Sequence, residues 1–258
     1  MQASPLDLLG DTTRAAAGRR TIAWLAGGLA TGAVAAGGWL APPDEVQGHA
    51  QRLMYLHVPA AWVAYAAFAV VLAASGAYLI GGDLRWDRFA RTSAEIGVVL
   101  TAVTIGTGSL WGRLVWGTWW AWDPRLVGTA LLLLAYAGYL ALRRAVAERI
   151  GACDGGDHQV ARRAAVVGVA AFLLVPVVHF SVLWWRSLHQ QATVLAPQRP
   201  PIDPRMGVAL LLAVAAATLA ALCVLAHLVV RLERRLALDA SPSPAPSPAP
   251  DRVPARIG

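Results

Sequence analysis

MGVALLLAVAAATLAALCVLAHLVV, residues 206–230, contains no Asp, Glu, Lys or Arg along its whole length. As an α-helix rising ~1.5 Å per residue, it exceeds the roughly 30 Å of a bilayer's hydrocarbon core. Lipid offers the backbone no hydrogen-bond partner, so a run of this kind must satisfy its own N–H and C=O groups, and a helix does so within one segment. Working outward, similar apolar runs occupy residues 21–41, 58–80, 93–111, 125–142 and 164–185. The chain is 57% hydrophobic and 14% charged, against roughly 25% charged residues in soluble domains. The short alternating strands of an outer-membrane barrel are absent. The fold class is therefore all-α: a polytopic membrane protein, a bundle of six transmembrane helices with a Trp-rich outer loop.

The net charge is +7, and all 22 basic residues are Arg. A basic balance can signal nucleic acid, but here the arginines gather at the ends of the apolar runs, where they set orientation. With the N-terminus inside, the inner segments and tail hold sixteen arginines. The outer segments hold six: Arg52, Arg113, Arg125, Arg186, Arg199 and Arg205. Both termini then lie in the cytoplasm, as an even number of spans requires. Arg19-Arg20 ahead of residues 21–41 has the look of an export signal, yet further spans follow, so the first run reads as a retained helix.

The expected organisation is a cytoplasmic segment at 1–20, a membrane domain at 21–235 and a disordered Pro/Ser-rich cytoplasmic tail at 236–258. The tail has polyproline II character. Cys153 and Cys223 are far apart, and no CxxCH haem-attachment motif is present, which excludes a c-type cytochrome. No P-loop exists, because the chain lacks Lys.

Eleven tryptophans are many for this length. Trp111, Trp116, Trp119, Trp120 and Trp122 fall between the third and fourth runs, and Trp184 and Trp185 end the fifth. The topology places all seven outside. A plain interfacial belt would populate both interfaces, whereas the inner interface has only Trp24 and Trp86. The densest piece, Trp116-Gly117-Thr118-Trp119-Trp120-Ala121-Trp122-Asp123, offers flat apolar faces with N–H donors. Gly112 and Gly117 would allow close backbone approach. Asp123 precedes Pro124 and a helical run, so it reads as an N-cap, as a residue directed at a ligand, or as both.

Of the six histidines, His158 falls in an inner loop and His227 near the inner end of the last run. Both read as structural. His49 lies in the first outer loop. His57 sits at the outer mouth of the second run, His179 one to two turns inside the fifth, and His189 just beyond Trp184-Trp185. His179 could serve a hydrogen bond to a neighbouring helix. His57 and His189 share a face with the tryptophan loop. Stacking faces, two imidazoles and nearby guanidiniums are the three kinds of group that haem takes, at its macrocycle, iron and propionates. Zinc would need three or four closely spaced ligands, and the sequence offers no such set.

Three segments carry a family resemblance over residues 50–235. The stretch 116–123 resembles the WWD signature of haem-handling proteins of cytochrome c biogenesis. Tyr55-Leu56-His57-Val58-Pro59-Ala60-Ala61 and His179 through Gln190 resemble, within that group, the haem exporter protein C (CcmC) family. The resemblance implies six transmembrane helices in the bacterial inner membrane with the tryptophan loop in the periplasm. It implies non-covalent haem b with His57 and His189 as its iron ligands. Trp116, Trp119, Trp120, Trp122 and Asp123 would present it. The residues themselves, apart from the resemblance, add Trp184 and Trp185 as stacking faces on the same side and Arg125 and Arg52 as the guanidiniums for the propionates. The resemblance further implies membrane lipid as surroundings and, as partners, a CcmE-type chaperone and the CcmA, CcmB and CcmD subunits, with ATPase activity in CcmA. No nucleic acid enters. The protein is then expected to be a carrier and not an enzyme. Two other readings stay open: a membrane b-type cytochrome, and the permease subunit of a small-solute transporter.

Overall fold

A computed structural model describes residues 21, 24–150, 155–189 and 202–239 of the chain. The sequence positions outside these ranges include Cys153, Arg199 and Gln190. Helix α1 covers residues 24–35 and continues as a π-helical turn, Ala36–Leu40. A 3-10 turn, His49–Leu53, leads into α2 (Met54–Gly81), followed by α3 (Leu84–Val115), α4 (Pro124–Ile150), α5 (Gly156–Phe172), α6 (Leu174–Trp184) and α7 (Pro204–Asp239). Among the described residues, five helical stretches are long and apolar enough to cross a membrane: His49–Gly81, Leu84–Val115, Pro124–Arg149, Gly156–Trp184 and Pro204–Arg234. The protein is an all-α polytopic membrane protein.

Helices α2, α3, α4 and α7 each outrun the apolar segment that announces them. The expected 93–111 becomes Leu84–Val115, and 206–230 becomes Pro204–Asp239. The reason is physical. Apolar composition marks only the part facing lipid, whereas the helical hydrogen-bond ladder continues wherever it is not broken. Arg85, Asp87, Arg88 and Arg91 all lie on the extension of α3 that precedes residue 93. His158, expected in a loop, sits in the first turn of α5, where its ring and carbonyl meet the Tyr78 hydroxyl. Residues 236–239, expected in the tail, continue α7 to Asp239, and the remainder of the expected tail lies outside the described residues.

Helix α5 stops where α6 starts because Pro176 cannot donate to the carbonyl four residues back. Leu173 closes the gap by turning its N–H to Ala170 O at 3.2 Å. The fifth span is thus two helices, and the shorter α6 delivers the 185–189 segment.

Chain direction sorts the loops. Helix α2 runs from one end of the bundle to the other and turns through Gly82-Asp83, where Asp83 caps α3 by accepting from the Arg85 N–H at 2.8 Å. Helix α3 returns to the first end, so the 116–123 loop lies beside the start of α2. Helix α4 leaves again and α5–α6 come back, bringing residues 185–189 to the same end. The core between them is built on Phe68 of α2, stacked face to face on Tyr136 of α4 with centroids 3.8 Å apart. Val71, Ala94, Ala164 and Val178 fill in from α2, α3, α5 and α6. At the far end Arg143 of α4 grips Asp87 of α3 through both nitrogens, at 2.6 and 2.5 Å.

Those two side chains are only 10% and 12% exposed. Removing one partner strands the other charge, which costs about 3–5 kcal/mol at a buried site. Asp87→Ala should therefore lower the thermal midpoint in detergent, and Asp87→Ala with Arg143→Leu should recover most of the loss. Equal melting of Asp87→Ala and wild type would show that the pair is not a structural clamp.

Candidate functional site

His57 is the fourth residue of α2, inside the first turn and not ahead of the helix. His189 is delivered by the segment after α6. Their ring centroids stand 6.3 Å apart with planes inclined by 35°. The sequence separates these residues by more than half of the chain, and the alternating helix directions bring them together.

Each ring is oriented by a neighbour. His57 Nδ1 lies 3.1 Å from Thr107 Oγ1 of α3. The Thr107 hydroxyl donates its single proton to the α3 backbone, with Val103 O at 2.8 Å and Thr104 O at 3.1 Å. Its oxygen can therefore only accept from His57, which places the imidazole proton on Nδ1 and a lone pair on Nε2. Gly108 gives the ring its room: a Cβ there would stand 3.0 Å from His57 Cε1.

On the other side, Arg125 Nη1 lies 3.2 Å from His189 Nδ1, and Arg125 Nη2 donates to His179 O at 2.9 Å. The His179 ring packs edge-on against Tyr65 and Phe180. His179 thus joins the cluster through its carbonyl and ring.

Asp123 is both a cap and a cross-link. It is 4% exposed. Oδ1 accepts from the Arg125 N–H at 2.9 Å, the N-cap bond expected from the sequence. Oδ2 accepts from Ser187 Oγ and from the Leu188 N–H, each at 2.7 Å. Ser187 Oγ in turn accepts from the His189 N–H at 3.0 Å. One carboxylate thus ties the start of α4 to the segment that carries His189. Burial pushes the Asp123 carboxyl upward, but the bonds from Ser187, Leu188 and the first turn of α4 outweigh it and hold the group below its ordinary value. A depressed carboxyl contributes its stability above the unfolded value, about 3.9, and loses it only as pH falls through the lower folded one. The cross-link is complete at neutral pH.

The tryptophans divide into two sets. Trp111 is held from the loop ahead of α2, donating to Gln47 Oε1 at 3.1 Å, and its ring meets Trp116 edge-on at 4.8 Å. Trp116 and Trp120 are partly covered. Trp119, Trp122, Trp184 and Trp185 are exposed, Trp122 at 87%. Gly117 takes a positive φ of 76° and its carbonyl accepts from Arg113. Gly112 makes room for the loop itself, since a Cβ there would meet Thr118 O at 3.2 Å. Arg52 lies in the 3-10 turn before α2, and its Nε is buried without a hydrogen-bond partner. Among the described residues, no three His, Cys, Asp or Glu side chains form a metal-holding group.

Sequence reasoning missed Thr107, which lies 50 positions from His57 and looks like one of several helix threonines. It quoted Ser187 within a motif without giving it a role; a hydroxyl two residues before a candidate ligand was the available signal. Asp123→Ala removes all three carboxylate bonds. Amide exchange at Leu188 and His189 should then accelerate at least about tenfold, given roughly 1.5–3 kcal/mol per charged hydrogen bond. Unchanged exchange there would show that the segment is held by other contacts.

Comparison with known proteins matches the chain to a family. The model of the family described as CcmC, heme exporter protein C, covers residues 9–239. Heme exporter protein C of Bradyrhizobium diazoefficiens is 37% identical over 218 residues, 83% of this chain and 79% of that protein. The Escherichia coli K12 protein of the same name is 35% identical over 190 residues, 72% of each. That of Paracoccus denitrificans is 38% identical over 162 residues, 62% of this chain and 64% of its own. A match over residues 9–239, which takes in the tryptophan loop and both histidine segments, shows that the chain belongs to the heme exporter protein C family.

Proposed function

We propose that this chain binds haem non-covalently at the periplasmic face of the inner membrane and presents it to a CcmE-type chaperone for cytochrome c maturation. It does so as a carrier, without turning over a substrate of its own. The observation that carries this reading is the pair of imidazoles. Two rings bound on opposite sides of one metal through nitrogens at ~2 Å have centroids roughly 6 Å apart. His57 and His189 have that separation, 6.3 Å.

Other features fit the same group. Arg52 Nε is buried and lacks an acceptor. Among the described residues Arg125 forms no ion pair and spends its guanidinium on neutral acceptors. Both cations suit carboxylates. The exposed faces of Trp119, Trp122, Trp184 and Trp185 suit a flat aromatic ligand and a docking partner that covers it. Haem supplies the redox-active iron; the chain supplies ligands, carboxylate partners and apolar cover. His57 offers Nε2 because Thr107 holds the proton on Nδ1, an outer partner of the kind that fixes metal-binding histidines.

In this role the chain is one subunit of a CcmABCD-type complex, with ATP hydrolysis in CcmA serving release of the loaded chaperone. The N- and C-termini are cytoplasmic, as the sixteen-to-six arginine distribution favours. A permease reading gains nothing from the geometry, because it leaves the paired histidines without a task. A b-type electron carrier wants its ligands deep in the bundle, and His57 sits in the first turn of α2.

The protein purified from haem-replete cells should show a Soret band that solvent extraction removes. His57→Ala and His189→Ala should each lose or shift it, and so should Trp119→Ala combined with Trp120→Ala. A colourless wild type, or a spectrum indifferent to both histidines, would sink the proposal. Thr107→Val keeps the shape of the side chain but removes the acceptor for His57. It should weaken haem binding by about 10–100-fold, while Thr107→Ser stays near wild type; equal affinity of the two would remove Thr107 from the site.

A further inference from the structure

The two histidines are held in opposite tautomers. Thr107 accepts from His57, so that ring carries its proton on Nδ1 and presents a lone pair at Nε2. A guanidinium can only donate. The 3.2 Å contact from Arg125 Nη1 therefore requires the lone pair of His189 to lie on Nδ1, and the neutral ring carries its proton on Nε2. As folded, neither nitrogen of His189 is available to a metal: Nδ1 faces the guanidinium and Nε2 bears a proton. His57 is preset and His189 is latched.

We propose that Arg125 is the latch, and that it makes ligation by His189 conditional on a carboxylate-bearing metal tetrapyrrole. This rests on the haem reading above. Arg125 is set for such an exchange. Its partners are an imidazole nitrogen and the His179 carbonyl, both neutral. Asp123, two residues away, has its oxygens committed to Ser187, Leu188 and the Arg125 N–H. A carboxylate on the incoming ligand offers a charge-assisted, bidentate alternative, roughly twice as strong as a neutral bond. When the guanidinium moves to it, His189 Nδ1 loses its donor. The ring then gives its Nε2 proton to solvent and takes one from solvent at Nδ1, so its charge is unchanged. Nε2 is left with a lone pair. His57 binds first, and His189 follows only for a ligand that can draw Arg125 away. A tetrapyrrole without free carboxylates would gain one imidazole and not two.

The test uses the full-length protein in detergent, saturated with iron mesoporphyrin or with its dimethyl ester, and reads coordination by optical and EPR spectra. Wild type should give a low-spin, two-imidazole spectrum with the free acid and a one-imidazole spectrum with the ester. Arg125→Leu should give two imidazoles with both. Two-imidazole binding of the ester by wild type would overturn the latch alone. A one-imidazole spectrum of the ester with Arg125→Leu would show that something else restrains His189, with the same consequence. Failure of wild type to bind either probe would overturn the haem reading and the latch with it. Nitrogen-15 NMR of histidine-labelled, ligand-free wild type reads the same state without any variant. It should show Nδ1 protonated on His57 and unprotonated on His189, and a protonated Nδ1 on His189 is incompatible with the proposal.

Discussion

Inside a bilayer there is no water to satisfy a backbone that leaves its helix, so every irregular segment must lie at an end of the bundle or find partners within it. That constraint gathers the candidate site at one end of the bundle. The 116–123 loop, the 185–189 segment and the first turns of α2 and α4 lie at one end because only there can the chain be non-helical. Their polar groups then satisfy one another. Asp123 takes up the donors of Ser187 and Leu188, and Arg125 takes up the carbonyl of His179. The site is assembled largely from hydrogen bonds that the end of a membrane bundle has to make in any case.

Much of the fold is legible in the sequence because hydrophobicity and arginine distribution are averages over many residues. The spans emerge from apolar runs, and the ends of the helices do not, because a charged helical turn outside lipid looks like a loop in composition. Residues 84–92 of α3 and His158 in α5 are such turns. The break between α5 and α6 traces to Pro176, but its placement at Leu173 depends on which carbonyl the missing N–H leaves unserved.

The site was legible in part. His57, His189 and the tryptophan loop stand out through unusual residues at unusual density. The residues that orient them do not. Thr107 acquires meaning only when α3 is packed against α2, and the grip of Arg125 on His189 depends on a crossing between α4 and the segment after α6. A local pattern located the cap function of Asp123, because an N-cap is made within one turn; its cross-link to residues 187 and 188 belongs to tertiary structure. The tryptophans looked like one set in the sequence and are two in the structure. Trp111 and Trp116 pack on each other, with Trp111 bonded to Gln47 of the loop ahead of α2, while Trp119 and Trp122 are exposed.

Asp123, Pro124 and Arg125 perform three separate tasks in three consecutive positions. The first holds the neighbouring segment, the second opens α4, and the third reaches a histidine on that same segment. Each helical residue turns the next side chain by about 100°. A single inserted or deleted residue here would leave the helix intact and its apolar faces nearly as well buried. It would also point either the carboxylate or the guanidinium away from residues 187–189. This tripeptide is thus far less tolerant of length change than of many substitutions, although the loop that precedes it looks like ordinary irregular chain.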